Sequence, residues 1–102
     1  MEPREIYRSL IRLYLLLVAS TGPVGGRGVT EKLRDHGFTT NQASVQRMLR
    51  DLETKGYLVS HEVRNSRSRR MYTTTQAGRL RLRDTKKKIQ ALIKIFGSTG
   101  VA

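Results

Sequence analysis

The chain has 102 residues, and its 20 Lys and Arg residues outnumber eight Asp and Glu residues, which gives a formal net charge of +12 at pH 7. This length allows one domain with a limited core, and the absence of cysteine excludes a disulfide framework and thiolate metal sites. Half of the 20 cations fall in residues 64–88, where Asp84 is the single acid, and such clustering indicates a polyanionic partner.

The first predicted element is a helix over residues 3–20. Two neighbouring apolar stripes run along it at helical spacing, and together they are wider than a helix packed on one side requires. We therefore expect one part to pack in its own domain and the rest against a second subunit. Residues 13–19 also loosely resemble a signal peptide, but this apolar run is too short to span a bilayer, and a buried helix is favoured. The stripes are Ile6, Leu10, Leu13 and Leu17, and Tyr7, Ile11, Tyr14 and Val18.

Residues 21–28 contain Pro23 and four glycines, which predicts a loop. The glycine spacing fits neither a P-loop nor a dinucleotide fingerprint, so we interpret the segment as a flexible connector or as the entry to a short helix. A short helix is predicted over residues 29–36, with Gly37 as its C-cap. A longer helix is predicted over residues 40–55, with Thr39 or Thr40 as its N-cap.

The helix over residues 40–55 is amphipathic. Its apolar stripe is Val45, Met48, Leu49 and Leu52, and the opposite face is polar. A short helix, a turn and a longer helix form the helix-turn-helix pattern. Arginine matches guanine and glutamine matches adenine in the major groove, so the polar face is suited to reading base edges. The candidate groove-facing residues are Gln42, Ser44, Gln46, Arg47 and Arg50.

A basic β-hairpin, or wing, is predicted over residues 57–74. The alternation in its first strand predicts that Tyr57, Val59 and Val63 face inward, and residues 65–68 have turn-forming composition. The arginines around this turn have no adjacent acidic partner in the sequence, and contact with phosphates would relieve their mutual repulsion and release counterions. The candidate phosphate-binding residues are Arg64, Arg67, Arg69 and Arg70.

A final helix is predicted over residues 75–96, with Thr75 as its N-cap and residues 97–102 as a flexible tail. Its apolar residues follow heptad spacing and would be exposed on a solitary helix, so pairing with a second copy is favoured. Its cations, from Arg79 to Lys88, either extend a phosphate-binding surface or solubilise the helix. The predicted dimerisation residues are Ile6, Leu10, Tyr14, Leu82, Ile89, Leu92 and Phe96.

The sequence offers little for catalysis. His36 and His61 are the only histidines, and the acidic residues do not recur at metal-ligand spacing. We therefore expect no enzymatic activity, no metal site and no cofactor.

Two motifs carry a resemblance to a known family. Residues 45–53 (VQRMLRDLE) and 55–58 (KGYL) contain the pattern Leu-Glu-x-x-Gly, and Tyr72, Thr75 and Gly78 form the pattern Tyr-x-x-Thr-x-x-Gly. Over about residues 10–82 the chain resembles PadR-type transcriptional regulators. The resemblance implies a dimeric repressor on palindromic operator DNA, joined through its first and last helices. The chain lacks the tryptophan found in the drug-binding pore of some relatives, so a small-molecule effector is possible but unsupported.

The sequence predicts an α+β, mostly helical fold: a winged helix-turn-helix with an N-terminal helix and a long C-terminal dimerisation helix. The predicted function is that of a cytoplasmic, nucleoid-associated homodimer that binds double-stranded DNA, represses transcription and has no membrane partner. Two alternatives stay open. One is an RNA-binding or ribosome-associated winged helix, and the other is a protein-interaction module whose apolar first and last helices dock a partner.

Overall fold

The computed structural model describes residues 4–63 and 69–100 of the chain. Within these ranges, four helices surround a small antiparallel sheet. This arrangement confirms the predicted mostly helical winged helix-turn-helix. In chain order the elements are α1 (Arg4–Ala19), β1 (Val24–Gly25), α2 (Gly26–Asp35), α3 (Gln42–Thr54), β2 (Leu58–Val63), β3 (Arg69–Thr74) and α4 (Gln76–Thr99).

The core lies between the first three helices and one face of the sheet. The α3 stripe of Val45, Met48, Leu49 and Leu52 is buried as predicted. Each such side chain stabilises the fold by about 1.5–3 kcal/mol when it is fully buried. The other apolar core residues are Ile11, Leu15, Leu16 and Ala19 from α1, Val29 and Leu33 from α2, and Leu58 and Tyr72 from the sheet.

Only part of the wide apolar surface of α1 packs inside this domain. Ile11, from the second predicted stripe, is fully buried, whereas Ile6, Leu10 and Leu17 of the first stripe are 63%, 46% and 49% exposed. The helix therefore contributes to the core through one side and leaves an apolar strip outside it.

The segment over residues 21–28 contains the start of a helix, as the second interpretation expected, and a short strand that was not predicted. Val24 and Gly25 form β1 and pair antiparallel with Tyr72 and Met71 of β3, and α2 begins at Gly26. A two-residue strand has no periodicity of its own and is defined only by its partner. Glycine allows the close pairing, because a β-carbon at Gly25 would lie 3.1 Å from the Met71 sulfur.

The helix ends differ from the predictions at two places. The N-cap of α3 is Asn41, whose side chain accepts a hydrogen bond from the Ser44 amide at 2.8 Å, so neither Thr39 nor Thr40 caps this helix. The Thr39 amide instead donates to the Tyr7 hydroxyl. The last helix begins after the predicted cap, Thr75, but continues to Thr99, so residues 97–99 are helical and not part of a tail.

The sheet has the order β1-β3-β2, and its register shows that the predicted alternation in the wing was one residue out of phase. Leu58 is buried, whereas Val59 and Val63 are exposed. Leu58 lies opposite Thr74, and Ser60 lies opposite Tyr72, so these residues share the inward face. A shift of one residue turns every side chain of a strand to the other face.

No helix in the described ranges is both long enough and apolar enough to cross a membrane.

Candidate nucleic-acid interface

The outer face of α3 presents most of the predicted base-reading residues. Gln42, Arg47 and Arg50 are exposed, while Ser44 is half-buried beside the N-cap. The apolar stripe on the other side of α3 is buried, so the helix is fixed with its polar face outward. A helix held in this way can be inserted into a major groove without exposing the core.

Gln46 lies differently from the other predicted contacts. It is half-buried and packs against Gly26, the first residue of α2, where a β-carbon would lie 2.7 Å from its Cδ atom. Gln46 therefore contributes to the packing between the two helices of the helix-turn-helix. Its role in contacting DNA stays a prediction.

The structure places one of the four predicted wing side chains. Arg64 and Arg67 lie outside the described residues, as does the predicted turn over residues 65–68, and the backbone of Arg69 begins β3 opposite Val63. Arg70 is exposed, and its Nη1 atom donates a hydrogen bond to Ser60 Oγ at 2.9 Å.

A polar network joins the end of α3 to the wing. Oε2 of Glu53 accepts hydrogen bonds from Ser60 N at 3.0 Å and from Ser60 Oγ at 2.7 Å. Because Arg70 donates to the same serine, the network links α3, β2 and β3. It fixes the wing relative to the helix. Glu53 stands out in the sequence only as part of the Leu-Glu-x-x-Gly motif, and residue spacing alone gives no sign of this contact.

Tyr72 marks the place where cations of α3 and β3 converge. Its side chain is fully buried, and its hydroxyl makes no hydrogen bond within the part of the chain that the structure describes. Burial raises the pKa of Tyr72, and the charge of Glu53 adds to this effect, whereas Arg70 and Arg50 oppose it. Arg50 and Arg70 thus both lie near one hydroxyl, one on the helix and the other on the wing.

The basic residues of α4 have several different surroundings. The Arg81 guanidinium lies 5.3 Å from the centre of the Tyr57 ring, and its Nη2 atom donates to the Tyr57 hydroxyl at 2.7 Å. Nζ of Lys88 lies 2.9 Å from Oδ2 of Asp84, and this hydrogen bond and charge lower the pKa of Asp84. Arg81 is therefore held against the domain, and Lys88 is paired along its own helix.

The predicted dimerisation residues fall into two groups. Tyr14 and Leu82 are half-buried against the core of their own domain, and the Tyr14 ring meets the His36 ring edge-on with centroids 5.6 Å apart. Ile89 lines a groove of about 470 Å³ between α1 and α4, together with Leu13 and Leu17. The remaining predicted residues are exposed: Ile6, Leu10, Leu92 and Phe96.

In residues 4–63 and 69–100, no three histidine, aspartate or glutamate side chains form a group that could hold a metal ion.

Residues 15–84 match the model of the transcriptional regulator PadR-like family. The chain belongs to this family. Its identity to transcriptional regulator Rv3488 of Mycobacterium tuberculosis is 34% over 92 residues, which cover 89% of the chain and 86% of that relative. The resemblance inferred from the two motifs is therefore confirmed.

Solved structures share the fold of this PadR-like chain. A PadR family transcriptional regulator from Eggerthella lenta superposes with a TM-score of 0.81 at 25% identity, covering 96% of this chain and 88% of that one. Bacillus subtilis PadR, solved in complex with operator DNA, superposes with a TM-score of 0.65 at 18% identity. That match covers 72% of this chain and 44% of the longer B. subtilis chain.

Proposed function

We propose that this PadR-like chain is a sequence-specific regulator of transcription that binds double-stranded DNA as a homodimer. One observation carries the proposal: Ser60 of the wing accepts a hydrogen bond from Arg70 and donates one to Glu53 of α3, which holds the basic wing beside the helix that exposes Arg47 and Arg50. The net charge of +12 favours a polyanionic partner. The operator complex of B. subtilis PadR, which has the same fold, supports the choice of duplex DNA.

The two elements would have different tasks on DNA. The exposed side chains of α3, chiefly Gln42, Arg47 and Arg50, would contact base edges in the major groove, with Ser44 and Gln46 beside them. The wing would hold the backbone through Arg64, Arg67, Arg69 and Arg70. The Glu53–Ser60–Arg70 network supports this division, because it keeps the wing at a fixed position relative to the reading helix.

Selection from a randomised duplex library tests the base-reading role. The wild-type chain should enrich a two-fold symmetric sequence, and Arg47→Ala or Arg50→Ala should discriminate that sequence from others less well, by about 1–3 kcal/mol per lost bidentate contact. Lys87→Ala is the control, because it removes one exposed charge from α4. Equal loss of affinity for all duplexes in both arginine variants would contradict a reading role for α3.

Competition at about 150 mM salt distinguishes the alternatives, because nonspecific binding weakens as salt rises. Labelled duplex that carries the selected sequence should resist displacement by structured RNA. Preferential binding of the RNA would instead favour an RNA-binding winged helix. Failure to bind either nucleic acid would favour a protein-interaction module.

The homodimer is proposed because the isolated chain exposes an apolar surface to solvent. Leu92 and Phe96 at the end of α4 are 53% and 55% exposed, and Ile6 and Leu10 of α1 are also exposed. Exposed apolar patches of this kind mark interaction sites. A second copy would cover the same surface of its partner by two-fold symmetry, which suits a palindromic operator.

Sedimentation equilibrium tests the dimer. Leu92→Glu should shift the mass from two chains toward one, because it places a charge in the apolar interface. The control is Lys87→Glu, which changes an exposed polar position of the same helix. A monomeric wild-type chain, or a Leu92→Glu variant that dimerises as strongly as wild type, would reject this surface.

The proposed effect on transcription is repression, since a dimer seated on promoter DNA would exclude RNA polymerase. Such a regulator would act in the cytoplasm, on the nucleoid. A reporter driven by a promoter that contains the selected sequence should give less product when the chain is present. Increased product would identify an activator.

A further inference from the structure

Helix α1 carries a stripe of arginines that is not among the proposed DNA contacts of α3 and the wing. Arg4, Arg8 and Arg12 are spaced four residues apart, which places them on one face of the helix. Like charges at this spacing repel one another and destabilise an isolated helix. A stripe of this kind is stabilised when an anion lies along it.

The stripe faces the recognition helix across a cleft. Arg8 and Arg12 of α1 and Arg47 of α3 line a cavity of about 250 Å³, which is open to solvent and has room for a tetrahedral oxyanion. Its other lining residues are Ser44, Met48 and Asp51. Three arginines from two elements therefore line one small space.

The charges of the cleft favour an anion. Asp51 is its single carboxylate, and it is already paired with Lys55 at 3.2 Å and with Arg12 at 3.9 Å. The Arg12 Nε atom is buried and makes no hydrogen bond within the described residues. In the same part of the chain, neither Arg8 nor Arg47 forms an ion pair. The cleft thus has an excess of positive charge.

The position of the cleft around α3 indicates which anion it receives. At about 100° per residue, Ser44 and Asp51 lie roughly 160–180° around the helix from Glu53, which contacts the wing. The exposed face with Arg47 and Arg50 lies between these two sides. The cleft and the wing therefore border the base-reading face on opposite flanks, as the two phosphate backbones border a helix in the major groove.

We infer that the cleft formed by Arg8, Arg12 and Arg47 binds a backbone phosphate of DNA on the flank of α3 away from the wing. This inference rests on the proposed function. Arg47 serves both surfaces, because its side chain lines the cleft and belongs to the exposed face. The DNA-binding surface then includes α1, which the sequence patterns did not assign to it.

The salt dependence of DNA binding tests this assignment. The affinities of wild type, Arg8→Ala and the charge control Lys94→Ala, at an exposed position of α4, are measured over a salt series on a duplex of unrelated sequence. Each phosphate contact contributes about 0.9 to the slope of log K against log salt concentration. In a dimer that loses one contact in each subunit, Arg8→Ala should reduce the slope by about 1.8. Lys94→Ala should leave the slope unchanged.

The outcomes separate this inference from the proposed function. If wild type binds duplex DNA and Arg8→Ala retains its slope, the α1 phosphate site is wrong while the regulator function stands. If wild type does not bind duplex DNA, both are wrong. A slope reduced equally by Arg8→Ala and Lys94→Ala also overturns the site, because it would report general charge alone. Arg8 is exposed, and thermal melting verifies that the variants are folded.

Discussion

Gly78 should be one of the least replaceable residues of the chain, although it lies in a helix where alanine is usually favoured. It is buried in the first turn of α4. A β-carbon at this position would collide with the backbone carbonyl of Tyr57 and would lie 2.7 Å from Cγ2 of Thr74. The same carbonyl accepts a hydrogen bond from the Thr75 amide at 3.1 Å. Gly78→Ala therefore pushes α4 away from the Tyr57 carbonyl and from Thr74 at the end of β3.

The magnitude follows from two opposing effects. In an open helical position, replacing glycine with alanine stabilises a protein by about 0.5–1 kcal/mol. Overpacking costs about 1–3 kcal/mol, and the obstacle here is backbone, which cannot rotate away. We expect Gly78→Ala to lower the free energy of unfolding by about 1–2 kcal/mol. For a domain of this size, the melting temperature should then fall by about 4–16 °C.

Urea unfolding followed by circular dichroism, at one protein concentration, measures this change. The matched control is Gly28→Ala in α2, where a β-carbon would have no atom within 4 Å. That variant should be more stable than wild type by about 0.5–1 kcal/mol. If Gly78→Ala is as stable as wild type, or if both variants shift in the same direction, the steric argument is refuted.

Three further predictions concern polar groups. Glu53→Ala should lower the free energy of unfolding by about 1.5–3 kcal/mol, because it removes the charged acceptor of two hydrogen bonds. Urea unfolding measures this change. The control is Glu62→Ala at an exposed position, which should stay within about 0.5 kcal/mol of wild type. Tyr72→Phe should keep or raise the stability, by up to about 1 kcal/mol, because it removes a buried hydroxyl that makes no hydrogen bond in the described ranges; a clear loss in the same assay would indicate a partner for that hydroxyl. Lys88→Met should raise the lowered pKa of Asp84 toward its ordinary value, as followed by carboxyl NMR shifts. Because the folded pKa is lowered, the stabilisation from this pair is present above about pH 4 and is lost as the pH falls through the folded value. Lys88→Met should reduce that pH dependence.

The helices could be predicted well from the sequence because the apolar residues of a packed helix recur with the helical period. The α3 stripe of Val45, Met48, Leu49 and Leu52 repeats with the helical period, and burial follows directly from it. The sheet was predicted less well. The strand β1 has two residues and exists only through its pairing with β3. At the start of the wing, the apolar residues Tyr57 and Val59 suggested that odd-numbered positions face inward, whereas tertiary packing buries Leu58.

For the candidate site, the sequence predicted which types of residue take part but not which of them contact one another. The exposed arginines of α3 could be selected because they lie opposite the apolar stripe. The contact of Glu53 with Ser60 joins residues seven positions apart across the turn between α3 and β2, and Arg70 reaches it from the next strand. The α1 stripe could be recognised by its spacing of four. Its position beside Arg47 required the packing of two helices that are distant in the chain.

The motif Tyr-x-x-Thr-x-x-Gly can now be understood as a junction between the wing and α4. Tyr72 fills the core below the wing, and Thr75 caps α4 while its hydroxyl donates to the Gly56 carbonyl at 2.6 Å. Gly78 lets the helix approach the Tyr57 carbonyl. All three residues therefore fix the direction in which α4 leaves the wing. In the proposed dimer, α4 joins the subunits and the wing holds DNA, so this junction sets the distance between the two reading helices. A change at Gly78 should consequently alter the preferred half-site spacing as well as the stability.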